Sequence, residues 1–371
     1  MESSLATQHV GAPLTNGTHA KPTYTIIHAE GMWPDDTVEH EIFKSKEGQA
    51  YYVNYVQTNL APTVTEIPKH WSAIDKSLRN QVQGIMLFRL PLTKADLDLF
   101  PKLKIVLRMG VGYDRLDRVS LAKRNITVCN IPDYGTCEIA DHALALALTL
   151  RRGVALHHDM QRFTETPSWL YIPSPLIHRI QAKTFGILGL GRIGMATAMR
   201  AKAFGWDVIF YDPYLLNGVD KALGLERVKD TQELFRRSTT LSLHCPCTRE
   251  TRGMIGYELL SLMPFGSILV NTARGEIVDL DGVERCLKEG NLMAVGFDVL
   301  PIEPIPKVGA HPLIQAYRNR EEWLMGRMVI TPHTAFYSPE SYVDIRIKSA
   351  ETMRDVLIDG GMLNVIRPDQ E

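Results

Sequence analysis

From Thr23 onward the chain alternates short apolar runs rich in β-branched residues with longer amphipathic ones. The runs at 24–29 (YTIIHA), 50–56 (AYYVNYV), 84–88 (GIMLF), 104–109 (KIVLRM) and 126–131 (ITVCNI) have the length and composition of buried strands. Between two of them TKADLDLF, 93–100, carries a helical spacing. A second series starts with a strand from Phe185 into a glycine-rich turn and continues through DVIFY (207–211), LSLHCP (241–246), GSILVNT (266–272), LMAVGFDVL (292–300) and RMVITPH (327–333). Strands that are apolar throughout, separated by helices, predict parallel sheets covered on both faces. The expected fold class is α/β, with two doubly wound parallel-sheet domains. Ligands of such sheets bind beyond the carboxyl ends of the strands, so the polar segments closing each run are where chemistry is expected.

The strongest helix is GTCEIADHALALALTLRRG, 135–153. Thr136 reads as its N-cap, Glu138 and Asp141 suit its positive end, and Arg151-Arg152-Gly153 close it. Its Ala/Leu interior has no polar stripe, which predicts burial between two bodies and a first domain crossing here. TETPSWLYIPSPLIHR (164–179) reads as a surface connection, and ESYVDIRIKSAETMRDVLIDGG (340–361) as an amphipathic helix packing back on the first domain. Residues 1–22 read as a disordered tail without the apolar core of a signal peptide.

Composition narrows the class of ligand. Lys and Arg number 41 against 42 Asp and Glu, for a formal charge of −1, so nothing favours direct binding of nucleic acid. No apolar run approaches the roughly 18 residues that span a bilayer, so no membrane association is expected. The five cysteines, 129, 137, 245, 247 and 286, are odd in number and scattered, which suits reduced thiols in the cytoplasm or nucleus. His244-Cys245-Pro246-Cys247 sits at a strand end with no second ligand pair, so no metal site is expected. TRETRG (248–253) reads as a polar loop and helix start.

Gly189-Leu190-Gly191-Arg192-Ile193-Gly194 follows an expected strand and opens an expected helix, the context in which GxGxxG cradles a dinucleotide. The first glycine permits the turn, the second lets a pyrophosphate approach the backbone, and the third lets helix and strand pack closely. Free amides at the helix start then hold the phosphates. Asp212, at the end of the next strand, would accept from the hydroxyls of an adenine ribose and repel a 2′-phosphate, which favours NAD over NADP.

Four further polar residues close consecutive strands: Arg274 in VNTARGEIVD, Asp298 and Glu303 in GFDVLPIEP, and His333 in VITPHTAF. An arginine fork binds both oxygens of a carboxylate. A histidine, with an unperturbed pKa of about 6.5, can protonate a new alkoxide near neutrality. A glutamate beside it favours its charged form. Taken singly, each has a plainer reading that is favoured, Arg274 as a surface ion pair, Glu303 as a capping residue before Pro304 and His333 as a hydrogen-bonded core histidine; together they suit hydride transfer to a carbonyl.

With the glycine turn, the strings NTARGEIVD, FDVLPIEP and TPHTAF resemble the D-isomer-specific 2-hydroxyacid dehydrogenase family, over nearly the whole chain from about residue 24. RMGVGYDRLD (108–117), RAKAFGWDVIFYDPYL and LSLHCPCTRETRGMI are most similar to its C-terminal binding protein branch of dinucleotide-dependent corepressors. The resemblance implies a catalytic trio of Arg274, Glu303 and His333. It implies a flavodoxin-like substrate domain from 23–133 and 337–371 around an NAD-binding Rossmann domain, 134–336, with 134–153 as interdomain helix. It further implies that Met109, Gly110, Val111 and Gly112 offer amides to the substrate carboxylate, and that Asp298 meets the nicotinamide amide. Thr136, His244, Cys245, Pro246, Thr272 and Ala273 would be additional cofactor contacts, and dimers would form through the NAD-binding domains. A corepressor-like role would add peptide partners. The chain ends about ten residues after its final helix and has no Lys/Arg cluster, which tilts the expectation toward metabolism.

Two departures stand out. Glu303 and His333 are further apart than the family's spacing, and LIQAYRNREEWLMGR (313–327) reads as a helical insertion that could reshape the substrate mouth. Phe336 stands where the corepressor branch has a tryptophan near the substrate.

Overall fold

The computed structural model describes residues 21–44, 51–61, 63, 67–166 and 168–367. The expected N-terminal tail lies, but for its last two residues, outside them. Among the described residues twelve strands form two sheets, parallel throughout. The first holds β1 (Thr23–His28), β2 (Tyr52–Gln57), β3 (Gly84–Leu87), β4 (Ile105–Arg108) and β5 (Thr127–Asn130) in the order β2-β1-β3-β4-β5. That is the flavodoxin-like order. The second holds β6 (Thr184–Leu188), β7 (Asp207–Tyr211), β8 (Glu226–Arg227), β9 (Thr240–Leu243), β10 (Ser267–Asn271), β11 (Leu292–Phe297) and β12 (Met328–Ile330) in the order β12-β11-β10-β9-β6-β7-β8. Its halves wind outward from β6 and β9 in the Rossmann manner.

The central apolar runs became strands covered on both faces, whereas β2, at the edge of the first sheet, leaves Tyr52 and Asn54 exposed. Residues of β9 to β11 are buried without exception. The two-residue β8 has no apolar run to announce it and only edges the sheet. The final helix, Pro339–Leu357, starts at a capping box on Ser338 and lays Ile345 and Met353 against Met86 and Leu107 of the first sheet, as expected. Arg346 ties it to the Thr37–Phe43 helix through a fully buried Glu39 at 2.7 Å.

Four local expectations are corrected. TKADLDLF makes only a 3₁₀ turn, Asp96–Leu99, because the Asp96 carboxylate folds back on the Thr93 amide and Pro101 blocks continuation. Gly135, not Thr136, is the N-cap of the Thr136–Arg151 helix. That helix is not buried all round: it packs on the second sheet and on the Arg192–Ala203 helix, with Asp141 and Ala145 exposed on its outer face. TRETRG starts no helix, since Thr248 and Thr251 close a side-chain turn and the next helix opens at Tyr257.

The Thr136–Arg151 helix is pinned at its end. The buried Arg151 guanidinium donates to Gly266 O at 3.1 Å and to Thr239 O, carbonyls at the amino ends of β10 and β9. Burial lowers its pKa to about 10, which leaves it charged at neutral pH. Arg151→Met should cost about 3 kcal/mol of stability, because two buried carbonyls lose a charged donor. Urea denaturation of parent and variant, compared at unchanged m, checks this.

Candidate active site

The glycine turn leaves β6 with Gly189 at φ +90°, where a Cβ would strike the Cys245 amide at 2.8 Å. A Cβ on Gly194 would meet Gly189 O at 2.1 Å, so that glycine lets the Arg192–Ala203 helix close on the strand. At Gly191, the helix N-cap, an added Cβ would meet nothing within 4 Å. The turn is therefore tight at its two ends and open at its middle, the shape that lets an extended phosphate chain lie on backbone amides. Asp212 stands beside it: Oδ2 accepts from Leu190 N at 2.8 Å and Oδ1 from Tyr214 N at 2.9 Å, leaving each oxygen a lone pair for a hydroxyl donor.

A cleft of about 490 Å³ runs from this turn between the two sheets. Gly191, Arg192 and Ile193 line one end, with His244, Cys245 and Pro246 beside them. Burial pushes the His244 imidazole down to about 3 and the Cys245 thiol up to about 12, so both are neutral there. The Thr136 and Thr272 hydroxyls are buried with no protein partner, which fits residues whose partner is a bound group. Together with the open turn they fit a dinucleotide.

Arg274, Asp298, His333 and Phe336 line the same cleft. His333 Nδ1 lies 2.8 Å from Glu303 Oε2, and Glu303 Oε1 accepts from Leu300 N at 2.9 Å. Burial raises the Glu303 pKa, but the His333 hydrogen bond and charge, the Leu300 amide and Arg115 outweigh it and hold the carboxyl below its usual range. His333 itself has φ +54°, a left-handed conformation unusual for a side chain of its size. Asp298 fixes it there: Oδ1 accepts from Thr334 N and the Thr331 hydroxyl, Oδ2 from Ala335 N, and its carbonyl from His333 N. His142, on the Thr136–Arg151 helix, holds Thr331 in turn at 2.9 Å. Asp298 thus spends most of its acceptor capacity on the His333 loop, with one lone pair of Oδ2 left for the cleft.

Arg274 crosses to the first sheet. Its Nε donates to Asp114 Oδ1 at 3.0 Å and its Nη1 to Ala273 O at 2.8 Å, while Nη2 lies over Gly112, where a Cβ would stand 1.5 Å from it. Of the four expected amide donors, Val111 and Gly112 line the cleft. Met109 is wholly buried with its amide on Leu87 O, and the Gly110 amide bonds Arg108 O. Phe336 stacks on Tyr342 and meets Phe88 and Tyr134 edgewise, making an aromatic wall 6.4 Å from the His333 ring.

Sequence reasoning missed Arg108, Asp114 and His142. Arg108 ends β4 and lines the cleft, so the strand-end rule that found Arg274 would have found it. Burial works against its charge and Arg274 repels it, leaving its pKa lowered. The 313–327 segment does not wall the substrate mouth. It forms a helix, Pro312–Arg318, and one turn, then Arg327 anchors it on the carbonyls of Leu287, Leu292 and Met293, at the amino end of β11 and so at the far end of the sheet from His333. Among the described residues no helix is long and apolar enough to cross a membrane, and no three of His, Cys, Asp and Glu gather as a metal would require.

Residues 144–335 match the model for the NAD binding domain of D-isomer specific 2-hydroxyacid dehydrogenases. Glyoxylate reductase of Korarchaeum cryptofilum (strain OPF8) is 36% identical over 296 residues, 79% of this chain and 83% of that protein. C-terminal-binding protein 1 of Caenorhabditis elegans is 33% identical over 290 residues, 76% of this chain, and the match spans only 38% of that longer relative. Among solved structures, D-lactate dehydrogenase from Aquifex aeolicus, complexed with NAD and lactic acid, aligns at a TM-score of 0.69 with 26% identity, covering 92% of this chain and 98% of that one. By the match over more than half its length, and by relatives above 30% identity across three quarters of it, the chain belongs to the D-isomer specific 2-hydroxyacid dehydrogenase family, a family of NAD-binding oxidoreductases acting on CH–OH donors.

Proposed function

We propose that the protein reduces a small 2-oxo acid to a D-2-hydroxy acid, or runs the reverse. In this reading 134–336 form the cofactor domain, and 23–133 with 337–371 the substrate domain. NADH, when bound, supplies the hydride to the carbonyl carbon. Arg274 holds the substrate carboxylate and carbonyl oxygen through Nη2, the guanidinium being fixed by Asp114 so that only this edge is offered. Val111 and Gly112 add backbone donors. His333 Nε2 protonates the oxygen, and Glu303 keeps the imidazole oriented and stabilises its charged form. The aromatic wall around Phe336 faces the substrate side chain and favours an apolar one.

The observation that carries the reading is the His333–Glu303 pair at 2.8 Å opening on the same cleft as Arg274. A panel of 2-oxo acids, followed at the NADH absorbance band, tests it, and turnover at ordinary enzymatic rates on one member is expected. The similarity to C-terminal-binding protein 1 favours one second reading, a corepressor-like dinucleotide sensor. Tight NADH binding with negligible turnover across the panel would establish that instead. Trp169, Leu170 and Tyr171 stand in a row 75–91% exposed on the cofactor domain and supply an apolar surface for a homodimer. Trp169→Ser combined with Tyr171→Ser should shift the light-scattering mass of the protein toward the monomer.

A further inference from the structure

Two neighbouring residues of opposite charge, Asp114 and Arg115, follow β4, and each meets an opposite charge on the other side of the cleft. Asp114 Oδ1 holds Arg274 Nε at 3.0 Å, and Arg115 Nη2 stands 4.0 Å from Glu303 Oε2. One loop of the substrate side carries both, so both pairs bridge the cleft. The second pair has no part in the mechanism above. It falls on Oε2, the same oxygen that holds His333 Nδ1 at 2.8 Å, while Oε1 is occupied by the Leu300 amide. A guanidinium at Oε2 draws on the negative charge that would otherwise stabilise the imidazolium alone.

We infer that Arg115 is a positioning residue acting through Glu303: closing the cleft brings its guanidinium to Oε2 and makes the protonated His333 a stronger acid when the substrate needs the proton. The inference rests on His333 being the acid of the proposed reaction. As the hydride's electron pair arrives at the carbonyl carbon, the carbon–oxygen π pair moves onto oxygen. His333 then loses its Nε2–H bond as the new O–H bond forms, and a neutral imidazole remains. The carboxylate it leaves uncompensated is then balanced by Arg115. With the cleft open, Oε2 belongs to His333 alone, which holds the next proton firmly.

Other charged groups of the cleft lie near this pair. Arg108 lines the cleft from the first sheet, and Arg274, from the same sheet as His333, reaches over it to Asp114. Asp298 lies beneath the His333 loop with its carboxylate on Thr331, Thr334 and Ala335, and His142 stands behind Thr331. Arg115 is the cation that reaches Oε2 from the opposite side.

Its side chain is 57% exposed, so Arg115→Gln should fold as the parent does. In the NAD-bound protein, the midpoint of the His333 Hε1 proton resonance titration should move up by about half a pH unit in Arg115→Gln. The alkaline fall of kcat/KM for 2-oxo acid reduction should move up by the same amount. Arg115→Lys, which keeps the cation, should return both to the parent position. Midpoint and limb unmoved in Arg115→Gln would overturn the inference. A parent without turnover on any 2-oxo acid would instead defeat the proposed reaction, and the resonance titration would still decide whether Arg115 acts on the His333–Glu303 pair.

Discussion

His333→Asn should lower kcat for 2-oxo acid reduction by about 10²–10⁴, the usual worth of a positioned general acid. KM should move little and stability hardly at all. Asparagine is chosen for two physical reasons. It is among the few side chains at ease in the left-handed conformation that this position holds, φ +54°. Its amide can also take the place of Nδ1 and donate to Glu303 Oε2, so only the proton at the Nε2 position is removed. A fall in kcat without a change in KM identifies a group that acts in the transition state alone. Glu303→Gln tests the partner. Because the Glu303 carboxyl is held below its ordinary range, it is ionised throughout the neutral region, and the proton passed to the substrate is the one that His333 carries. Reduction consumes that proton, so the rate falls as pH rises. A neutral glutamine no longer supports the imidazolium, and the alkaline fall should move to lower pH. Rate profiles of parent and variant between pH 6 and 10 check the sign.

What could be read from the sequence follows from where the physics is local. Gly189, Gly191 and Gly194 were assigned three different tasks from their spacing, and added Cβ atoms would meet a neighbouring amide, open space and a carbonyl in turn. Arg274, Glu303 and His333 could be singled out as candidates because parallel strands deliver the residues that follow them to one edge of the sheet. The contacts that aim those residues were not legible. Asp114 and Arg274 are 160 positions apart, and no periodicity links them. His142 was hidden within an Ala/Leu helix, where a single polar residue gives no signal of what it faces. The exposed side of that helix escaped notice for a related reason: an alanine open to solvent, such as Ala145, and one covered by protein look alike in a sequence. The 313–327 segment was rightly read as partly helical, but its distance from the mouth is set by Arg327 bonding carbonyls of the neighbouring strand, and carbonyl bonds leave no trace in side-chain pattern.

Arg274→Ala should reduce kcat/KM by about 10³ or more, through both a raised KM and a lowered kcat. Two losses combine in that figure. One is the charge-assisted fork that the proposed reaction gives to the substrate carboxylate. The other is created by the substitution itself: Asp114, whose side chain is only 15% exposed, loses the guanidinium 3.0 Å away and becomes an uncompensated carboxylate beside the proposed substrate site. Burial raises the Asp114 pKa, but the charge of Arg274, hydrogen bonds including that from Arg274, and the charge of Arg108 hold it below the usual range in the parent. Without Arg274 it still repels an incoming carboxylate across a partly desolvated gap. The two losses separate in a double variant. Asp114→Asn added to Arg274→Ala removes the repulsion without restoring the fork, and should recover several-fold in KM while kcat stays low. In the parent background, Asp114→Asn should do the opposite and raise KM, since it frees Arg274 from its fixed orientation over Gly112. A sign reversal of one substitution between two backgrounds is what a carboxylate that orients a cation must produce, and equal effects in both would reduce Asp114 to a bystander.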